Sequence, residues 1–140
     1  MPISDSELAA MLREVKTIAV VGANDRPGRP VDRVGRYLID AGYRVIPVHP
    51  ARNAVWGLPA RKSLLDIEEP VDLVNLFRAP EHCPAHAAEV LHLPTRPRCF
   101  WMQLGIASAE ARALLEHSLI VVEDRCLMVE HARLLGNAHG

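Results

Sequence analysis

The chain has 140 residues, 49% of them hydrophobic and 24% charged, and a formal net charge of −1. Such a length and composition favour a single globular domain over residues 1–140. The near-neutral charge gives no field that would attract nucleic acid or an anionic membrane. The N-terminus is acidic, and no apolar run approaches the roughly 20 residues of a membrane span. We therefore expect a cytoplasmic protein with no nucleic-acid or membrane partner.

Apolar periodicity and capping residues predict the secondary structure. The pattern Ser4-x-x-Glu7 is a capping box, followed by apolar residues at helical spacing, and it predicts a leading helix. Pro30 is suited to the first turn of a helix, and Ser108 to a helix cap. The predicted strands are 17–22, 43–48, 71–77, 98–101 and 119–122, and the later helices are 30–41, 80–92 (or 84–92), 108–117 and 127–134.

The alternation of strands and helices indicates the fold class. Short apolar strands separated by helices predict a mostly parallel five-stranded sheet with helices on both faces, a three-layer Rossmann-like α/β fold. Pro47 cannot donate to a sheet ladder, so its strand is expected at an edge or to end there. The stretch from Pro50 to Pro59 predicts a long irregular connection. A ligand of such a sheet lies outside the carboxyl ends of the strands.

The turn after the first strand favours a phosphate group. Gly22 ends an apolar strand and Pro30 opens a helix, so backbone N–H groups and the helix dipole would face an anion there. NAD is disfavoured, because the G-x-G-x-x-G pattern is absent and the second strand is followed by His49-Pro50-Ala51-Arg52 rather than by a carboxylate. No lysine-containing phosphate loop for ATP is present. A basic residue at this position leaves NADP, with its 2′-phosphate, or coenzyme A, with its 3′-phosphate.

No metal site or catalytic residue is identifiable from the pattern. Five metal-ligand residue types cluster near one predicted helix, but no distant residue completes a site, and a solvated helix explains them better: His82, Cys83, His86, Glu89 and His92. Cys126 beside Arg125 is a candidate nucleophile, yet no base or oxyanion site accompanies it, and the alternative is a small buried hydrophobe. Three widely spaced cysteines also give no disulfide framework. Enzymatic activity is left open.

Several segments, in order and at matching spacing over about residues 17–130, resemble one family. They are 18–23, 29–30, 34–38, 42–50, 63–67, 70–72, 77–78, 101–106 and 124–126. The chain resembles the small stand-alone CoA-binding proteins, which are similar to the CoA-binding domain of the succinyl-CoA synthetase α subunit. The resemblance implies a Rossmann-like domain that binds CoA across the strand ends.

The resemblance also implies roles for individual residues. By position, the turn at Gly22, Ala23 and Asn24 would hold the pyrophosphate, and Arg29 would add a guanidinium unless it pairs with Asp25 or Asp32. The remaining implied contacts are Pro50 and Arg52 near the 3′-phosphate, Phe77, Arg78 and Pro80 beside the adenine or pantetheine, and Gln103 beside the pantetheine arm. The family usually has serine where this chain has Asn24 and Val31; Asn24 still offers an amide N–H, whereas Val31 replaces no hydroxyl.

The function expected from these observations is binding of CoA or acyl-CoA, with no chemistry of its own evident. One alternative is an enzyme, either an NADP-linked oxidoreductase or a CoA-thioester enzyme whose partner chain brings the catalytic groups. The other is a regulatory module that senses CoA and acts through a protein partner or a homo-oligomer interface. The fold alone does not separate these alternatives.

Overall fold

A five-stranded parallel sheet forms the centre of the computed structural model, which describes residues 3–136. The sheet strands are β1 (Thr17–Val21), β2 (Arg44–Val48), β5 (Leu73–Leu76), β6 (Cys99–Met102) and β7 (Ile120–Val122), in the order β2-β1-β5-β6-β7. All four neighbouring pairs are parallel. The short strands β3 (Ala54–Val55) and β4 (Leu58–Pro59) form a separate antiparallel pair.

Helices cover both faces of the sheet. They are α1 (Asp5–Glu14), α2 (Pro30–Asp40), α3 (Cys83–Val90), α4 (Ala109–Leu115) and α5 (Leu127–Leu134), with 3₁₀ turns at Leu64–Asp66 and Pro80–His82. Alternate strand residues belong to two apolar cores, one shared with α1, α2 and α5 and the other with α3 and α4. This arrangement confirms the predicted three-layer Rossmann-like fold. None of the helices within residues 3–136 is long and apolar enough to span a bilayer.

The predicted helix starts are confirmed. The Ser4 hydroxyl accepts a hydrogen bond from the backbone N–H of Glu7 at 3.1 Å, and the Ser108 hydroxyl accepts one from that of Ala111, also at 3.1 Å. Pro30 is the first residue of α2, where a missing N–H costs no intrahelical bond.

The connection after β2 is more regular than predicted. Pro47 lies in an edge strand, as expected, but residues 50–59 contain the β3–β4 hairpin rather than an irregular loop. Its turn places Trp56 at φ 55° and Gly57 at φ 72°. A tryptophan in the left-handed region is uncommon, and two-residue strands carry no periodic pattern, so no local pattern predicts this hairpin.

The hairpin is held against α2 by Trp56. The indole N–H of Trp56 donates to Asp32 at 2.9 Å, and its backbone N–H donates to Asp25 at 3.2 Å. The indole ring lies directly over Gly35, where an added Cβ would come within 2.2 Å of ring atoms. A glycine within α2 therefore makes room for the docked ring.

The strand order places the switch point of the sheet between β1 and β5. The chain moves from β1 outward to β2 and then returns across β1 to β5. Gly22 and Phe77 directly follow these two strands, and a Cβ on Gly22 would lie 2.6 Å from the Phe77 carbonyl oxygen. Gly22 also has φ 84°. Only glycine fits both conditions, and the resulting opening is where open parallel sheets bind ligands.

Candidate functional site

Two adjoining cavities lie at the carboxyl edge of the sheet and share Phe77 and Arg78. The narrow cavity, about 330 Å³, is lined by Val21, Gly22, Asn24, Val48, His49, Pro50, Lys62, Ser63, Phe77, Arg78, His86 and Glu89. The wide cavity, about 660 Å³, is lined by Pro30, Arg33, Val34, Phe77, Arg78, Ala79, Pro80, Gln103, Leu104, Gly105, Ile106, Cys126, Met128 and Val129. Together they form a cleft that spans the switch point.

A further cavity of about 660 Å³ lies at the opposite, amino edge of the sheet, beside Thr17, Tyr43 and Arg44. The Tyr43 hydroxyl there donates to the Leu12 carbonyl at 2.6 Å, and burial raises the pKa of Tyr43 to about 12. This cavity includes neither the glycine turn nor the switch point. The carboxyl edge is therefore the candidate functional site.

The glycine turn contributes fewer free donors than expected. The backbone N–H groups of Gly22 and Ala23 both donate to the Val48 carbonyl, at 3.1 and 3.2 Å. These two N–H groups are therefore not available to an anion. Gly22 instead allows the backbone to pass close to Phe77. The Asn24 side chain accepts from the Arg26 N–H at 2.8 Å, while the Asn24 N–H has no acceptor within residues 3–136.

Arg52 is held away from the cavities by an ion pair. One of its guanidinium nitrogens lies 3.0 and 3.1 Å from the two carboxylate oxygens of Asp25 and 3.0 Å from the Ala54 carbonyl. The hydrogen bond from Arg52, followed by that from the Trp56 N–H, lowers the pKa of Asp25. Pro50 lines the narrow cavity, but Arg52 lines neither cavity. Of these two residues predicted to lie near the 3′-phosphate, only Pro50 lines one of the two cavities.

Arg29 is the exposed cap residue before α2. Neither of its alternative partners is free for it, because Asp25 pairs with Arg52 and Asp32 bonds to Arg36 and the Trp56 indole. Within residues 3–136 the Arg29 side chain has no hydrogen-bond partner, and it lines neither cavity. Arg29 thus stands outside the cleft, one residue before Pro30 at its rim.

Arg78 is the cation that both cavities share. The residue is partly buried, and its Nε atom is fully buried with no hydrogen-bond partner among the described residues. A buried guanidinium nitrogen without an acceptor is costly, since it has lost water and gained nothing in exchange. Because Arg78 lines both cavities, its guanidinium is the candidate contact for an anionic ligand there. Pro80, also predicted, lines the wide cavity only.

Gln103 is anchored in the floor of the wide cavity. Only 5% of it is exposed, and its side-chain oxygen accepts from the Asn75 amide and from the Leu127 backbone N–H, both at 3.2 Å. Its side-chain nitrogen donates to no atom of residues 3–136. Asn75, fully buried beside it, has a side-chain oxygen with no hydrogen-bond partner in the described part of the chain. The pair leaves one unused donor in the cavity wall.

One wall of the narrow cavity contains Lys62 and Ser63, which are not among the site residues predicted from the sequence. Lys62 and Ser63 reach it because Val48 and Arg61 form an isolated parallel bridge that brings the chain back to the edge of β2. The Ser63 hydroxyl donates to Glu89 at 3.0 Å, and the second Glu89 oxygen lies 2.6 Å from His86 Nδ1. No local pattern signals Lys62, because its position depends on that bridge. Lys62 makes no ion pair within the described range.

The same contacts account for part of the histidine-rich segment. His86 and Glu89 bond to each other, whereas His82 and His92 are exposed. No group of three or more His, Cys, Asp and Glu side chains in the described part of the chain is placed to hold a metal ion. The polar groups of this wall are the hydrogen-bonded carboxylate of Glu89 and the ammonium group of Lys62.

The fold and the cleft define a Rossmann-like α/β domain with its candidate ligand site at the sheet's switch point. Residues 16–132 match the family described as CoA binding domain, and the chain belongs to that family. It is 41% identical over 130 residues to the uncharacterized protein YneT of Bacillus subtilis, covering 92% of this chain and 95% of that one.

Solved structures and one enzyme are also similar. A Thermus thermophilus protein called cell-free ID.343 is 47% identical, with a TM-score of 0.89 and coverage of 95% of this chain and 100% of that chain. A hypothetical protein from Pyrococcus horikoshii is 34% identical, with a TM-score of 0.89 and coverage of 96% and 94%. The ADP-forming acetate–CoA ligase of Methanocaldococcus jannaschii is 29% identical over 58 residues, which are 41% of this chain and 8% of the ligase.

Proposed function

We propose that residues 1–140 act as one domain that binds coenzyme A, free or acylated, across the carboxyl edge of the sheet. The observation that carries the proposal is the pair of adjoining cavities at the β1–β5 switch point, which share Arg78, a residue whose buried Nε has no partner among the described residues. The family membership names the ligand class. In this proposal the nucleotide end occupies the narrow cavity and the pantetheine arm occupies the wide one.

The phosphate groups require cations and free backbone donors. Arg78 and Asn24 both line the narrow cavity, and we assign the Arg78 guanidinium and the Asn24 N–H to the pyrophosphate. The N–H of Val31, at the start of α2, also has no acceptor within residues 3–136 and faces the same end of the sheet. The positive end of the α2 dipole adds to this attraction.

The 3′-phosphate has two candidate cations. Arg52 is compensated by Asp25, so its charge reaches a ligand only in part. Lys62 lines the narrow cavity with Pro50 and Glu89, and it makes no ion pair within the described residues. We therefore assign the main 3′-phosphate contact to Lys62, with Arg52 as a second cation nearby. An uncompensated charge attracts an anion more strongly than one already paired.

The wide cavity suits the pantetheine arm, which alternates amide groups with short apolar segments. Val34, Ile106 and Met128 supply apolar walls, and Phe77 supplies a ring face. The unused side-chain nitrogen of Gln103 supplies a donor for an amide carbonyl. Ligand sites of this kind combine mostly apolar walls with a few fixed polar groups.

Calorimetric titration of the ligand-stripped protein with CoA, dephospho-CoA, acetyl-CoA, NADP and NAD in one buffer tests the proposal. We expect CoA to bind, and dephospho-CoA to bind about 10- to 100-fold more weakly through loss of charge-assisted hydrogen bonds. The acetyl-CoA affinity then tells whether the thiol end is recognised. Binding of NADP with no heat from CoA would overturn the proposal in favour of an oxidoreductase.

A further inference from the structure

Cys126 is a thiol in the wall of the wide cavity. It belongs to the Asp124-Arg125-Cys126 segment, one of the segments that carry the family resemblance. The proposed CoA binding assigns no contact to it. Cys83 and Cys99 are fully buried, and burial raises the pKa of both thiols. Cys126 is only partly buried and lines the cavity. All three cysteines are free, and Cys126 alone among them has solvent access.

Three hydrogen bonds fix the segment that carries Cys126. The Asp124 carboxylate accepts from the Gly105 N–H at 2.7 Å, and the Trp101 indole donates to the Arg125 carbonyl at 2.8 Å. The Leu127 N–H donates to Gln103 at 3.2 Å. Residues on both sides of Cys126 are thus tied to the end of β6. The thiol is presented at a defined point of the cavity wall.

A second observation in the same cavity points to a ligand. Gln103 lines the cavity and is only 5% exposed. Its side-chain nitrogen has no acceptor within residues 3–136. Arg78 lines the same cavity, and its buried Nε has no partner among the described residues. A donor without an acceptor on a nearly buried residue of the cavity wall indicates that a molecule with acceptor groups completes the cavity. Cys126 lies in the wall of the space that this molecule would fill.

We propose that Cys126 is a modification site that forms a mixed disulfide with the pantetheine sulfur of coenzyme A, using a CoA disulfide as the oxidant. The inference rests on the proposed CoA binding. The Cys126 thiolate attacks one sulfur of the CoA disulfide, so that a bond forms between Sγ and that sulfur while the original S–S bond breaks. The second CoA leaves as a thiolate and takes a proton from water. Cys126 is oxidised and the small-molecule disulfide is reduced.

The geometry gives this reaction selectivity. With the nucleotide in the narrow cavity, the arm enters the wide cavity and its sulfur end approaches the wall that contains Cys126. Binding then converts the exchange into an intramolecular step at an effective concentration of the order of millimolar. At micromolar disulfide, we expect CoA disulfide to react at least about 10-fold faster than glutathione disulfide, which lacks the nucleotide.

The test uses the reduced, ligand-stripped full chain treated with CoA disulfide or with glutathione disulfide. Intact mass spectrometry follows the gain of one CoA or one glutathione, and peptide mapping locates it. We expect one CoA on Cys126, released by reductant, and a rate that saturates with CoA disulfide but not with glutathione disulfide. Cys126→Ser is expected to bind CoA in calorimetry under reducing conditions and to form no adduct. Arg78→Gln is expected to lose the preference for CoA disulfide while still reacting slowly with both.

The outcomes separate this proposal from the binding proposal. If CoA binds under reducing conditions but the two disulfides react equally fast, Cys126 is simply an accessible thiol and the inference is overturned while CoA binding stands. Adduct on Cys83 or Cys99 also overturns it. If CoA does not bind under reducing conditions, the proposed function fails, and this inference fails with it.

Discussion

Arg52 and Asp25 form an ion pair in which one guanidinium nitrogen lies 3.0 and 3.1 Å from the two carboxylate oxygens. The pair joins the loop after β1 to the loop after β2, 27 positions further along the chain. It keeps the guanidinium beside the Ala54 carbonyl, outside the narrow cavity. The basic residue that pointed to a phosphorylated ribose therefore has a partner within the protein, and the lysine that lines the cavity has none in the described residues.

The first prediction compares the two cations. Lys62→Gln should reduce the preference for CoA over dephospho-CoA on the order of 10-fold, because an uncompensated charge contact is lost. Arg52→Gln should reduce that preference less, since Asp25 already offsets its charge. Calorimetry of both variants with both ligands measures the two ratios. If Arg52→Gln loses more of the preference than Lys62→Gln, Arg52 is the main contact of the 3′-phosphate.

The second prediction separates binding from folding at Arg78. Arg78→Gln should weaken CoA binding about 10- to 100-fold by removing a charge-assisted contact. Its free energy of unfolding should be unchanged or higher, because the substitution removes a buried nitrogen that has no partner in the described structure. Urea unfolding without ligand provides the stability and calorimetry provides the affinity. Loss of stability together with unchanged affinity would contradict the assignment.

The third prediction concerns the close approach at Gly22. Gly28 is a matched control, because it also has positive φ, 88° against 84° at Gly22, but nothing lies within 4 Å of an added Cβ. Gly28→Ala should cost about 1 kcal/mol for the left-handed backbone alone. Gly22→Ala should cost at least about 2 kcal/mol more, through the contact with the Phe77 carbonyl. Denaturant unfolding measures both, and equal costs would show that the contact relaxes freely.

The fourth prediction concerns the docking of Trp56 on Gly35. Alanine at a helical glycine normally stabilises by about 1 kcal/mol, but here the added methyl would meet the indole at 2.2 Å. Gly35→Ala should therefore destabilise the protein by about 1 to 2 kcal/mol, as the ring leaves and its hydrogen bond to Asp32 is lost.

A double-mutant cycle checks this explanation. In the Trp56→Ala background the obstacle is gone, so Gly35→Ala should become neutral or stabilising. The measured quantity is the free energy of unfolding of the four proteins. Additive effects of the two substitutions would mean that the indole ring and residue 35 are not energetically coupled.

The fifth prediction is a pH dependence at Glu69. Hydrogen bonds from the Arg61 guanidinium, 3.0 Å from each Glu69 oxygen, lower the pKa of Glu69 from 4.5 to about 2. A carboxyl whose pKa is lowered by folding contributes stability above its unfolded pKa and loses that contribution as pH falls through the folded pKa. Glu69→Gln should thus cost about 1 kcal/mol at neutral pH and less between pH 4.5 and 2.

Glu68→Gln is the control for this effect, because Glu68 is an exposed neighbour with no hydrogen bond or ion pair in the described residues. Urea unfolding at several pH values gives the difference between each variant and the unsubstituted protein. A Glu69→Gln difference that stays constant down to the lowest pH would rule out the ion pair as its source.

Local patterns predicted most of the fold because they act over short sequence distances. The buried strands appear as apolar runs, and the hydroxyls of Ser4 and Ser108 bond to N–H groups three residues away. The β3–β4 hairpin was not predicted, because its strands have two residues each and its turn contains Trp56 at positive φ. That conformation is stabilised by contacts with α2 that no local pattern contains.

The site was predicted only in outline. The carboxyl ends of parallel strands share one edge, so the ends of the predicted strands place Gly22, Phe77, Arg78 and Gln103 together. Their hydrogen bonds were not predicted, because these depend on distant partners such as Val48, whose carbonyl takes the N–H groups of Gly22 and Ala23. Lys62 was missed for the same reason.

The two outer strands of the sheet also differ from ordinary open edges. In β2, Pro47 has no N–H, and its carbonyl accepts from the Arg61 N–H at 2.9 Å. In β7, only three residues long, the Val121 carbonyl accepts from the Arg112 guanidinium at 3.0 Å. Each border thus lacks the unbroken row of donors and acceptors that another strand requires. Both features are of the kind that protects a sheet against edge-to-edge aggregation.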